Sequence, residues 1–454
     1  MHISKAIFLF LLLCNGVIAQ QHWDIEGHFP EATNQEILLK GFTIDGDSLL
    51  SQTTTDDKGS FYLQYPATYV GAAVLEIKSD KNVVLLLKDE SFTMQWDSLE
   101  DFSTLKFTGS PENEAFAQGM SLYQQAEGKR AGLHYLLPLY EQDTKAQRFL
   151  QQQMDSQNGA MDDFLGSLPK DLYARYYLSI RKLMADMPQT ARRYTARMPA
   201  HTEQFNNIDF SDKRLLHSGL YTELLDTYYV TMESFMNSQY EGLNASTDAI
   251  LESVSDSPEL QQQVAKHLFQ FFEKRSLFPA AKHLALGMLD DESCILDVKV
   301  EALFEQYRKM AIGKTAAELV LVNSKTPNKK FTDIDSKYKL IVFGASWCPK
   351  CTEEIPKIKE FYQHWQEDYD LEVVLISLDT DPIKYAEFIH DFPWVSSCDL
   401  QSWKGENVKN YYVSGTPTMY LLDRDQKILH KPVSAAHVEA WLKSQKQQEK
   451  KAQP

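Results

Sequence analysis

The hydrophobic period changes twice along this chain, and no single fold unit accommodates three different periods in consecutive blocks. Over residues 20–113 short alternating runs such as "EILLKGFTI", "SFYLQY", "AAVLEI" and "SFTMQW" are broken by turn signals. In "SFYLQY", Phe61, Leu63 and Tyr65 share one face and Ser60, Tyr62 and Gln64 the other, the pattern of a half-buried strand. Asp45-Gly46 and "DDKG" mark hairpin turns. Over residues 114–314 apolar residues recur every three or four positions, as in Leu172, Tyr176, Ile180 and Leu183, which predicts eight to ten helices. From 315 to 446 continuous apolar runs, "KLIVFGA" and "LEVVLISL", alternate with helical patterns, as strands covered on both faces require. A polar tail, 447–454, follows. The chain reads as multidomain: an N-terminal all-β, sandwich-like domain, an all-α middle domain and a C-terminal α/β domain.

At 454 residues each block is long enough to bury its own core, and 43% hydrophobic with 24% charged residues describes globular protein. A formal charge of −17, with basic residues concentrated in "KSQKQQEKK" at the end, excludes phosphate-backbone partners, so no nucleic acid is expected. Residues 1–19 differ from everything after them. Lys5 precedes an apolar run, Ala6 to Leu13, and Val17-Ile18-Ala19 form a small-residue exit, the pattern of a cleavable signal peptide that leaves Gln20 first and directs the chain to the periplasm. The apolar run is far short of the ~20 residues that span hydrocarbon. Cys14 follows three leucines, whereas a lipoprotein signal places a small residue there, so lipidation is the lesser alternative.

Loss of Cys14 leaves Cys294, Cys348, Cys351 and Cys398, too few and too scattered for a disulfide scaffold. Cys294 and Cys398 read as small buried hydrophobes, with a bridge between them left open. Cys348 and Cys351 stand in "LIVFGASWCPKCTEEIP", where a buried strand ends and a helix begins, with Ile355, Ile358, Tyr362 and Trp365 on one helical face. Unpaired amides and the macrodipole at that N-terminus favour a thiolate on Cys348, and the charge of Lys350 is expected to add to this. Pro349 costs no hydrogen bond in a first turn. Cys351, one turn on, can attack a bond made by Cys348. A zinc site would need a second close pair, and a purely structural bridge would close too small a loop to stabilise much, so no metal and no cofactor are expected. A helix is predicted over Pro382 to His390, strands over Thr418 to Leu422 and Lys427 to His430, and a last helix opened by Ser434.

"FGASWCPKCTEEIP", with "VSGTPTMYLLDRDQKIL" some sixty residues later, resembles the thioredoxin superfamily, and within it the exported TlpA/ResA-like thiol-disulfide oxidoreductases. The likeness covers roughly 318–445. A weaker one links residues 21–113, ending in "FTGSPENEAF", to the small β domain that precedes such modules, and a fainter one runs through "NIDFSDKRLLHSGLYTELLDTYY". The resemblance implies that the C-terminal domain is thioredoxin-like and that Cys348 and Cys351 are catalytic. It implies a cis Pro417 against them, and a substrate surface formed by Trp347, Pro349, Lys350 and Thr416. It also makes Glu354 a residue that tunes the couple, although a carboxylate serving a helix N-terminus accounts for it equally. The implied activity is disulfide reduction through a mixed disulfide, acting on a disulfide-containing protein and fed by a membrane thiol donor of the DsbD type. A partner-binding protein with a thioredoxin-fold module of little turnover, or a disulfide oxidase or isomerase, are the alternatives. Val342 stands where thioredoxin keeps a buried aspartate, and Gly344 where an aromatic is common, which is expected to open the site wall.

Overall fold

The computed structural model describes residues 21–77, 81–193, 198–235, 240–291, 294–323, 330–413 and 415–452; the expected signal peptide, with Cys14, lies outside them. The chain forms two compact units, Met1–Phe235 and Met236–Pro454. The boundary between the units falls inside the helical stretch expected over 114–314.

Among the described residues of the first unit eight strands, β1 (His22–His28), β2 (Glu36–Thr43), β3 (Gly46–Thr54), β4 (Ser60–Pro66), β5 (Gly71–Ile77), β6 (Lys81–Leu87), β7 (Phe92–Trp96) and β8 (Leu105–Thr108), build two four-stranded sheets. Their orders are β4-β1-β7-β8 and β3-β2-β5-β6. One core joins them, with Ile25, Leu63 and Met94 from the first sheet against Leu39, Leu75 and Leu85 from the second. The alternation expected in "SFYLQY" is observed: Phe61, Leu63 and Tyr65 are buried and Tyr62 is exposed. Strand β1 escaped the sequence reading because charged residues interrupt its apolar positions; it is held by β4 on one side and, in parallel, by β7 on the other. Gly59, in the "DDKG" turn, has φ of +81°, and a Cβ there would stand 2.0 Å from the Phe29 carbonyl oxygen.

Among the described residues six helices follow: α1 (Pro111–Leu136), α2 (Thr144–Ser167), α3 (Tyr173–Arg193), α4 (Met198–Asn206), α5 (Lys213–Leu216) and α6 (Tyr221–Phe235). Ser110 caps α1 by accepting from the Asn113 amide, and Pro111 takes its first turn, so the helix starts slightly ahead of the expected 114. The Asn113 side chain also bonds the Leu86 amide (2.8 Å) and carbonyl (2.9 Å), which covers the open edge of β6. In α3 the buried face runs through Tyr173, Tyr177, Ile180 and Met184, with Leu172 and Tyr176 on its flank.

In the second unit α7 (Glu241–Ser253), α8 (Pro258–Lys274), α9 (Phe278–Asp290) and α10 (Val298–Lys309) precede an α/β domain. That domain runs β9 (Tyr338–Gly344), α11 (Pro349–Tyr369), β10 (Leu371–Ser377), α12 (Pro382–Ile389), β11 (Val395–Cys398), α13 (Glu406–Asn410), β12 (Thr418–Asp423), β13 (Ile428–His430) and α14 (Ala435–Ala452). The sheet order is β11-β10-β9-β12-β13; β9, β10 and β11 are parallel, and β12 and β13 antiparallel. Every residue of the central β9 is buried, as its unbroken apolar run requires. The chain leaving α10 pairs with the β13 edge through Gly313 N–H to the Ile428 carbonyl (2.7 Å) and Ile428 N–H to the Lys314 carbonyl (2.8 Å). The buried Lys431 ammonium, 4.2 Å above the Tyr307 ring and 4.0 Å from Glu273, joins α8 and α10 to the sheet. The polar tail is helical as far as Ala452, a continuation of α14.

Candidate functional site

The carboxyl ends of adjacent parallel strands form the natural site of an open α/β sheet, and here they are the ends of β9 and β10. Between β9 and α11 the chain passes through Ala345, Ser346 and Trp347 to Cys348. That cysteine is the N-cap of α11, with φ −89° and ψ 113°, and its sulfur accepts the Cys351 amide at 3.2 Å. Thr352 N–H donates to the Cys348 carbonyl at 3.1 Å, closing the first turn around Pro349. The Cys348 thiol points at the Thr416 carbonyl, 3.4 Å away, and Thr416–Pro417 is cis, as the resemblance implied. The first turn of α11 sets Cys351 beside Cys348, and the pairing of β12 with β9 brings Thr416 and Pro417 to them from 68 residues along the chain.

The two thiols are free and unequal. Cys348 is 5% exposed and Cys351 is 0% exposed. Burial, the largest influence, pushes the Cys348 thiol up. Hydrogen bonds donated to its sulfur by the Cys351 thiol, the Thr416 side chain and the amides of Cys351 and Lys350 outweigh it and hold Cys348 below its ordinary range. Burial pushes Cys351 up to about 12, reinforced by its hydrogen bond to Cys348. Lys350 acts on Cys348 through its backbone amide; its ammonium, expected to favour the anion, is not among the strongest influences. Such a pair can present one nucleophilic sulfur to a substrate and keep the other protonated in reserve.

The departures from the thioredoxin pattern take definite positions. Val342 is buried between Leu375 of β10 and Met419 of β12. Gly344 does not open the site wall as expected. The Ile355 side chain fills the space beside it, so a Cβ would stand 2.7 Å from Ile355 Cδ1 and 3.6 Å from Cys351 Sγ. Glu354 turns toward α14: Oε1 accepts the Ala435 amide at 2.6 Å and Oε2 lies 3.3 Å from Lys357 Nζ. With Ser434 Oγ accepting from His437 N–H at 3.2 Å, it satisfies the opening turn of α14. Glu354→Gln should therefore lower stability by about 0.3–1 kcal/mol through the lost charge at that terminus. The pH profile of turnover is the second readout: a shift assigns the carboxylate proton exchange with Cys351, and a profile identical to wild type leaves it with α14 alone.

Two residues that the sequence reading passed over complete the site. Asp379, just beyond the end of β10, is buried and accepts from Ser346 Oγ (2.6 Å), Ser346 N–H (3.1 Å) and Ser377 Oγ (2.6 Å). It fixes the segment that carries Cys348. Its sequence signal is a carboxylate at the carboxyl end of an apolar strand. Trp403 lies beside Trp347, ring centroids 6.1 Å apart, and the two are 44% and 50% exposed. A lone tryptophan in the polar stretch "DLQSWKGE" was its signal. Pro349 and Lys350 are exposed next to Cys348, while Thr416 and Pro417 are half-buried. Cys398 lies at the end of β11, fully buried, and donates to the Asp379 carbonyl at 3.3 Å; Cys294 is half-buried, and both are free thiols. Among the described residues no three His, Cys, Asp or Glu side chains converge as a metal site.

Residues 335–428, the span of this sheet and its CPKC turn, match the family model described as thioredoxin-like. Tryparedoxin from Trypanosoma brucei brucei is 30% identical over 103 residues, 22% of this chain and 72% of its own length. The chain belongs to the thioredoxin-like family. Thiol-disulfide oxidoreductase ResA from Bacillus cereus is 26% identical to this thioredoxin-like protein over 129 residues, 28% of this chain and 73% of the relative. A thioredoxin-like protein from Bacteroides caccae superposes with a TM-score of 0.43 at 17% identity, covering 54% of this chain and 92% of its own. With two free thiols at the family's site, this thioredoxin-like protein is a thiol-disulfide oxidoreductase.

Proposed function

We propose that the chain is a periplasmic disulfide reductase that works through a mixed disulfide. The observation that carries the reading is the inequality of the two sulfurs, one favoured as thiolate at the rim and one buried and protonated one turn along. In the proposed cycle the Cys348 thiolate attacks one sulfur of a substrate disulfide. A Cys348–substrate bond forms, the substrate bond breaks, and the departing thiolate takes up a proton. Cys351 then loses its proton and attacks Cys348 Sγ, which forms the Cys348–Cys351 disulfide and releases the second substrate thiol. The substrate gains two electrons and the enzyme loses two; a dithiol donor on the membrane side, of the DsbD type, restores the reduced pair. Trp347, Pro349, Lys350 and Thr416 are the proposed substrate surface, with Trp403 extending it.

The balance on Cys348 supports the proposed direction. A strongly stabilised thiolate makes a couple oxidising because it favours the reduced form, and here burial opposes the amides and limits that stabilisation. The export reading rests on residues 1–19, and among the described residues no helix is long and apolar enough to cross a membrane. Equilibration with a glutathione buffer tests the direction. A reduction potential near the roughly −270 mV of thioredoxin is expected, and a value near about −120 mV would make the protein an oxidase.

A further inference from the structure

Helices α1 and α2 form a long hairpin whose far end is apolar and uncovered. The apolar packing of α1 lies at its base, where Phe116, Met120 and Tyr123 meet Met161, Leu165 and Leu178. From Tyr123 the helix continues for about 20 Å to its end at Leu136. There Tyr135 is 74% exposed, Leu139 65% and Phe149 59%, with Leu136 and Tyr140 also exposed. Elsewhere among the described residues, large exposed apolar side chains come singly or in pairs, as ordinary surfaces carry them. Five within residues 135–149 form a patch of the kind that marks an interaction surface.

Charge and shape together select the occupant. The chain as a whole carries −17, but between 128 and 149 three exposed basic residues, Lys129, Lys145 and Arg148, stand against Glu141 and Asp143, while Arg130 is buried. Lys129, Lys145 and Arg148 are exposed, a turn or two behind the apolar tip. The Asp143 carboxylate is committed to the start of α2, where it accepts the amides of Lys145 and Ala146, both at 3.0 Å. Tyrosines and leucines at the end with cations behind them are the arrangement of a segment seated at a lipid interface: rings at headgroup depth, leucines below, ammonium and guanidinium groups among the phosphates. A second folded protein needs roughly 800 Å² of complementary surface per partner, whereas this patch consists of five side chains at the end of a two-helix hairpin. A bilayer deforms around such a tip and needs no complementary shape.

We infer that the tip of the α1–α2 hairpin is a docking element for an anionic lipid surface. The inference is independent of the redox chemistry, so either can fail alone. The test is co-sedimentation of the chain, with residues 1–19 removed so that their apolar run cannot itself bind lipid. The probes are vesicles of mixed phosphatidylethanolamine and phosphatidylglycerol, compared with phosphatidylcholine alone. Binding is expected on the anionic vesicles and weakly on the neutral ones. It should fall about tenfold or more in a Tyr135→Ser, Leu139→Ser, Tyr140→Ser variant and similarly in Lys129→Glu, Lys145→Glu. Circular dichroism melts and dithiol turnover should match the parent in both variants. Absence of binding to either vesicle, or equal binding by parent and variants, overturns the inference. So does a doubled mass in light scattering that the serine variant returns to a single copy, because the tip would then be a self-association surface.

Discussion

Cys351→Ser should strand the reaction halfway. Once Cys348 has attacked a substrate disulfide, release depends on a second sulfur one turn along, and without it the covalent intermediate persists. In its own host the variant should run as higher-mass adducts that collapse on reduction, with turnover of a model protein disulfide falling to the uncatalysed rate. Cys348→Ser should lose turnover equally but form few or no adducts, because the remaining sulfur is fully buried and pushed up to about 12. Adduct-free behaviour in both variants would sink the reductase mechanism and leave a partner-binding module of little turnover. A single dominant adduct would identify the substrate.

Alkylation against pH should separate the two thiols by at least about a hundredfold at pH 7. A thiol held near 12 has on the order of one thiolate in a hundred thousand at neutrality, whereas one lowered from its ordinary value keeps a far larger thiolate fraction. The sign is fixed by the directions. Because the Cys348 pKa is lowered, its reactivity persists as pH falls past the free-thiol midpoint and is lost only at lower pH. Cys351 stays unreactive until strongly alkaline pH. Asp379→Ala should move the Cys348 midpoint back toward that of a free thiol, since Ser346 would no longer hold the segment that places Cys348 at the start of α11. Asp379→Asn, which keeps an acceptor for Ser346, should move it less. A Cys348 that titrates like free cysteine in the parent protein, or a faster Cys351, would reverse the assigned roles.

Legibility followed the range of each interaction. The CPKC turn was readable because the strand end, the helix start and both thiols occur in one short stretch, and the same locality exposed β9, α11 and β12. Strand β11, "VSSC", was not readable: its serines are polar in sequence yet buried. The backbone of Val322 satisfies Ser397, accepting from its hydroxyl and donating to it, both at 2.8 Å. The start of α1 was misplaced slightly because its cap, Ser110, also serves as the end of a strand-like run. Gly344 was misread because the residue that closes the wall, Ile355, reaches it from the next helix.

What the amino-acid sequence determined by itself was what local periodicity and turn chemistry control: a β block, a helical block, and an α/β block with a nucleophile at a helix N-terminus. The tertiary structure decided which distant groups surround that nucleophile. Asp379 reaches Ser346 across 33 residues, Ala435 meets Glu354 across 81, and Trp403 stands beside Trp347. It also decided that the helical stretch divides between two compact units. The physical reason is that hydrophobic burial is non-directional. A pattern of apolar residues says that a face must be covered, and only the packed chain says by what.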